Sequence, residues 1–160
     1  MLLLKSAVFA LIVPGTVAGL VPYWILRATG HAHWPETGVR AFFGLGIFLL
    51  GAVTASSSVW RFAVDGKGTP APIDPPKFLV SCGTYRITRN PMYVGVVSMV
   101  LGEAAVFTSA WLLVYGLFLF CLFHAFVVLY EEPTLRRQFG PSYEDFCRSV
   151  PRWFWPGTRK

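Results

Sequence analysis

Apolar and polar residues fall into long blocks, without the period-two alternation of a half-buried strand. Residues 2–26 are largely apolar, with Lys5 the only charge. Residues 41–60 carry no charge, 91–109 carry only Glu103, and 111–130 contain His124 within an otherwise apolar run. At about 1.5 Å per residue, each run is long enough to cross a hydrocarbon core of about 30 Å. The pattern predicts an all-α, polytopic membrane protein: one domain over 1–160 with four transmembrane helices, a polar loop at 61–90 and a polar tail at 131–160. Pro14–Gly15 should kink the first run, and Pro22 should thin out its end. A cleaved signal peptide is the other reading of that run, with Val17–Ala18–Gly19 as a poor cleavage site.

Two details refine the pattern. The turn at Thr108–Trp111 is so short that the third and fourth runs must form an antiparallel hairpin. In the tail, Leu135, Phe139, Tyr143, Phe146 and Val150 recur near helical spacing, interrupted at Gly140–Pro141. They predict two short amphipathic helices, lying on the membrane surface or folded back on the loop. Pro133 should break or bend the fourth helix. Gly44, Gly46 and Gly51 suit close helix packing, and Gly44-x-Gly46 also suits close approach of a ligand to the backbone.

Composition supports a lipid environment. The chain is 54% hydrophobic and 14% charged, against about 25% charged in soluble domains. Its formal net charge of +6 suits an anionic leaflet or ligand, and no nucleic-acid motif accompanies it. Three cysteines (Cys82, Cys121, Cys147) without a C-x-x-C pair support neither a disulfide framework nor a zinc site. Lysine and arginine concentrate in 61–90 and after Tyr130, which predicts both termini and both of these segments on the cytoplasmic side.

Candidate chemistry gathers at that side. Asn90 should cap, and Pro91 begin, the third helix, whose first amides and dipole attract anions, with Arg86 and Arg89 beside it. His124 lies seven residues before Glu131, on roughly one helix face. The topology therefore collects Tyr85, Arg89, Asn90, Tyr93, Glu131, Glu132 and Tyr143 at one rim, with His124 deeper. Arginine and helix-start amides suit a carboxylate. Glutamates suit an ammonium, a sulfonium or ribose hydroxyls, and aromatic faces attract cations. S-adenosylmethionine has all these parts, as nucleotides and lipid headgroups have some. Elsewhere, Glu103 is either a proton or substrate contact or a packing carboxyl bonded to a neighbouring helix. His31-x-His33 is either two loop histidines or part of a metal site awaiting a third ligand. Gly66–Thr69 lacks the spacing of a phosphate-binding loop.

The ordered set Gly83-Thr84-Tyr85-Arg86, Arg89-Asn90-Pro91-Met92-Tyr93-Val94-Gly95, Glu131-Glu132, Leu135, Phe139-Gly140, Tyr143 and Val150-Pro151 resembles the isoprenylcysteine carboxyl methyltransferase and phospholipid methyltransferase family. The resemblance runs from Phe78 to Trp153. It implies an integral membrane enzyme that uses S-adenosylmethionine to methylate an isoprenylcysteine-like carboxylate or a phospholipid amine. It implies cofactor contacts from Tyr93, Glu131 and Glu132, to which the topology adds Tyr85, Asn90 and His124. Arg89 would orient a carboxylate acceptor, and Glu132 would take the proton from an amine. Asn90 stands where eukaryotic members have histidine, so it can hydrogen-bond but not titrate. A non-enzymatic small transporter or assembly factor with the same helical fold is the alternative.

Overall fold

The computed structural model describes residues 12–31, 38–67 and 77–153. Lys5 and the start of the first apolar run, His33, the Gly68–Pro76 stretch and the terminal 154–160 segment lie outside the described residues. The described chain is all helical: α1 (Ile12–Ala28), α2 (Val39–Val64), α3 (Pro91–Phe107), α4 (Ala110–Phe126), α5 (Glu132–Phe139) and α6 (Pro141–Ser149). Two helices are long and apolar enough to cross a membrane, Val39–Val64 and the continuous Ala110–Phe139; α1 and α3 are shorter apolar helices. Phe42, Phe43, Leu49 and Leu50 on α2, and Leu113, Val114, Leu117 and Phe118 on α4, face outward. Such a surface is a liability in water and is at ease in hydrocarbon.

The bundle is organised on an antiparallel seam between α2 and α3. Gly44 meets Gly102, and Gly51 meets Gly95, so closely that a Cβ added at any of the four would lie 2.6–2.7 Å from a backbone oxygen across the seam. The expected small-residue packing is thus realised at Gly44 and Gly51. Gly46 has nothing near it and contributes no contact to the seam. Thr108, in the left-handed region at φ 52°, ends α3, and α4 starts two residues later at Ala110. This is the expected hairpin. Val100 and Leu112 are fully buried within it.

Three expectations are corrected. The break in α1 falls at Ala18 (φ −108°, ψ 18°), within a π turn Thr16–Leu20, and the helix then runs on through Pro22. Pro22 lacks an N–H and its ring crowds the carbonyl of Ala18 four residues earlier, which accounts for this break; the carbonyl that Pro14 would crowd, that of Ala10, lies outside the described residues. The Tyr115 hydroxyl donates to the Val17 carbonyl at 2.9 Å, next to the break. Second, α2 continues through Val64, so the polar loop begins later than Arg61. Third, of the break or bend expected at Pro133, the break does not occur, since the helix runs on to Phe139. A π turn, Val127–Glu131, lets the Glu132 N–H reach the Val127 carbonyl and carries the chain into α5. The added residue in that turn absorbs the register that proline would otherwise interrupt.

Of the two placements open to the tail, the structure takes the fold-back. Gly140 (φ 52°, ψ −127°) turns the chain between α5 and α6. Tyr143, Phe146 and Val150 then bury against Val80 and Tyr85 of the loop, with Phe62, Leu135 and Phe139 packed around them. This second core fixes the loop and tail at one end of the bundle.

Candidate functional site

The start of α3 is built by the tail. Asn90 occupies the N-cap position and Pro91 the first turn, yet Asn90 makes no side-chain cap bond. Its amide Nδ2 donates to the Arg152 carbonyl at 3.0 Å. The Thr88 hydroxyl donates to the same carbonyl at 2.9 Å, and the Arg89 backbone N–H donates to the Pro151 carbonyl at 2.9 Å. The cap expected from Asn90 is lost because a backbone acceptor 62 residues away claims the side chain.

The π turn presents the two glutamates in different settings. The Tyr93 hydroxyl donates to Glu131 Oε2 at 2.9 Å, with the Tyr93 ring 4.8 Å from that of Phe123. The other Glu131 oxygen takes no hydrogen bond among the described residues. Glu132 is held on both oxygens. The Arg152 fork donates from Nε and Nη2 at 2.7 and 2.9 Å, and Arg89 Nη1 lies 3.1 Å from Oε1. Bidentate guanidinium–carboxylate pairs of this kind are strong and geometrically specific. The Arg89 side chain is only 11% exposed. It reaches Cys147 Sγ at 2.7 Å and the Tyr143 hydroxyl at 3.5 Å, while its Nε is buried without a partner.

These groups border a cleft that opens to the outside. Tyr85, Arg89, Asn90, Glu131, Glu132 and Tyr143 line it together with Phe62, Leu79, Val80, Val127, Leu135, Phe139 and Phe146. Burial raises the Tyr85 phenol well above its usual pKa, assisted by Glu131. Burial likewise raises Tyr143, assisted by Cys147. Both are hydrogen-bond donors throughout the physiological range. The cleft therefore offers a cation with a spare buried donor, a carboxylate with an open oxygen, and aromatic walls.

Six of the residues expected at one rim line this cleft, and Tyr93 joins them through Glu131. His124 lies elsewhere. It is exposed, and its Nδ1 accepts from the Trp153 indole N–H at 3.1 Å; Phe120 stacks on Trp153 at 5.1 Å. One turn of α4 and the π turn separate it from Glu131, and the extra residue there upsets the simple seven-residue register. Glu103 keeps one carboxylate oxygen buried without a partner. His31 Nδ1 lies 2.9 Å from the Thr29 carbonyl, and no group of three or more potential metal ligands occurs among the described residues. Sequence reasoning missed Arg152, Trp153 and Cys147; it read Cys147 only as one of three cysteines without a pairing motif.

An all-helical scaffold with two long apolar helices, and a charged cleft where the polar segments meet, defines a small membrane-type protein. The phospholipid methyltransferase family matches residues 39–142, and the chain belongs to that family. That match ends before Tyr143, Cys147 and Arg152. The chain is also 28% identical over 132 residues to the nickel-cobalt-cadmium resistance protein NccN of Alcaligenes xylosoxydans xylosoxydans, covering 81% of this chain and 58% of that protein. The chain thus spans little more than half the length of that curated relative. No solved structure matches it.

Proposed function

We propose that the protein transfers a methyl group from S-adenosylmethionine to a lipid acceptor in the membrane. The observation that carries this reading is the pairing, in one cleft, of the buried, unpartnered Arg89 Nε with the open oxygen of Glu131. Arg89 suits the carboxylate of the cofactor's amino-acid part, and Glu131 suits its ammonium or a ribose hydroxyl. Tyr85, Tyr143 and Phe146 supply aromatic faces of the kind that attract a sulfonium. Asn90, whose Nδ2 is held by the tail, contributes its carbonyl oxygen. His124 would act at the membrane-facing side, outside this cleft.

S-adenosylmethionine, when bound, supplies an activated methyl group and leaves as a neutral thioether. The chain's task is to position the acceptor and exclude water. A carboxylate acceptor, of isoprenylcysteine type, would be oriented by Arg89. For an amine acceptor, as on a phospholipid, Glu131 is better placed than Glu132 to take the proton. Glu132 already accepts two hydrogen bonds from Arg152 and is ion-paired with Arg89, and a base must be free to take the proton. Family membership supports a lipid as the acceptor. We place the site in a single domain of four spans, with both termini and the cleft cytoplasmic, because lysine and arginine crowd 61–90 and the tail.

The test is transfer of a labelled methyl group in native membranes, followed by identification of the labelled lipid. S-adenosylhomocysteine binding should weaken in Glu131→Gln; undiminished binding would remove the site assignment. A non-enzymatic transporter or assembly factor is the second reading, favoured by the unpartnered carboxylate oxygen of Glu103 within α3 and by the name of the resistance protein. It predicts no cofactor binding at all.

A further inference from the structure

We propose that Arg152 is a positioning residue of the site, acting through Glu132 on Arg89. Arg152 does not line the cleft, yet it makes a two-point contact to a group that does. Its guanidinium engages both oxygens of Glu132, at 2.7 and 2.9 Å, and Glu132 in turn holds Arg89 at 3.1 Å. The same residue's carbonyl accepts from Thr88 and Asn90, and its neighbour Pro151 accepts from the Arg89 amide. On the other side, Trp153 is bonded to His124. The short segment Pro151–Trp153 thus ties the start of α3 to the helix that carries the acidic pair.

The chemistry gives this tie a purpose. Arg89 has several rotatable bonds and, without Glu132, only a thiol and a long contact to a phenol would hold it. Glu132 without Arg152 would have one guanidinium and no planar fork to fix its orientation. A carboxylate gripped bidentately from outside the cleft has one setting, and that setting directs the Arg89 head, whose Nε is buried without a partner. Preorganisation of this kind removes the ordering cost that a ligand would otherwise meet on binding. The consequence for ligand binding rests on the reading of the cleft given above; the clamp itself does not.

The experiment uses the full chain in nanodiscs and has two arms. In the ligand-free protein, amide hydrogen exchange at Arg89 should quicken roughly tenfold or more in Arg152→Gln, since the Arg89 N–H bonds to the strap. Unchanged exchange overturns the clamp. In the second arm, S-adenosylhomocysteine affinity per folded molecule should fall roughly ten- to a hundredfold in Arg152→Gln, the range expected for loss of charge-assisted supporting contacts. Arg152→Lys, which keeps the charge and loses the fork, should restore only part of it. The decisive readout is the double-mutant cycle. In a Glu132→Gln background, Arg152→Gln should add less than about threefold, because the partner through which it acts is already gone. Full additivity would mean a merely structural role and overturns the proposal. If the wild type binds no S-adenosylhomocysteine while Arg89 exchange still responds, the methyltransferase reading falls and the clamp stands.

Discussion

Gly102→Ala tests the seam on which the site is built. An alanine Cβ there would sit 2.6 Å from the Gly44 carbonyl oxygen, 2.6 Å from the Phe48 nitrogen and 2.9 Å from the Phe48 Cα. Carbon atoms prefer separations of about 3.5–4.0 Å, so α2 and α3 must part by most of an ångström, and the obstructing atoms are backbone that cannot rotate away. Overpacking costs typically about 1–3 kcal/mol, and the rigid neighbours put this site at the upper end. Exchanging glycine for alanine in a helix returns about 1 kcal/mol, leaving a net loss of about 1–2 kcal/mol. Gly46→Ala is the matched control: nothing lies within 4 Å of its Cβ, so only the propensity gain remains. Thermal unfolding in one detergent, followed by circular dichroism, should show Gly102→Ala melting several degrees below the wild type and Gly46→Ala at or above it. Equal melting temperatures for the two variants would refute the close-packed seam.

Gly95→Ala, whose Cβ would meet the Gly51 oxygen at 2.6 Å and the Ala55 nitrogen at 2.7 Å, acts at the same seam two residues from Tyr93. It should weaken S-adenosylhomocysteine binding as well as stability, which calorimetric titration of the folded fraction would reveal. Gly140→Ala places a side chain at φ 52°, ψ −127°, a glycine-only region, at a cost of about 1–3 kcal/mol; limited proteolysis should cut α6 sooner than in the wild type. Burial raises the folded-state pKa of Tyr85 above the ordinary phenol value of 10.0. Its contribution to stability is therefore complete below about pH 10 and is lost as pH rises toward the folded-state value. Denaturant titrations at increasing alkaline pH should show a smaller loss in Tyr85→Phe. Tyr93→Phe removes the hydrogen bond to Glu131 and should lower methyl-transfer kcat/KM by roughly three- to tenfold, in line with a net worth of about 1 kcal/mol per bond. An unchanged value would detach Glu131 from the reaction.

The apolar blocks by themselves determined the helical class, the Thr108 hairpin and the two amphipathic pieces of the tail. Each of these depends on residues a few positions apart, where spacing along the chain is spacing in space. The ordered polar motifs likewise placed Tyr85, Arg89, Asn90, Glu131, Glu132 and Tyr143 in one neighbourhood. Only the tertiary structure decided what each of those side chains does. Asn90 has the chemistry of a cap, but its Nδ2 donates to the Arg152 carbonyl, 62 residues on, and its side chain makes no cap bond. Glu131 and Glu132 are identical neighbours in the sequence; a phenol meets one and two guanidiniums meet the other, so one keeps an oxygen open while the other accepts the Arg152 fork and pairs with Arg89. Local propensity sets which helices form, whereas the partner of a polar group is whichever donor or acceptor the folded chain delivers to it. That delivery depends on a π turn, a left-handed glycine and a three-residue strap, none of which leaves a periodic trace in the sequence.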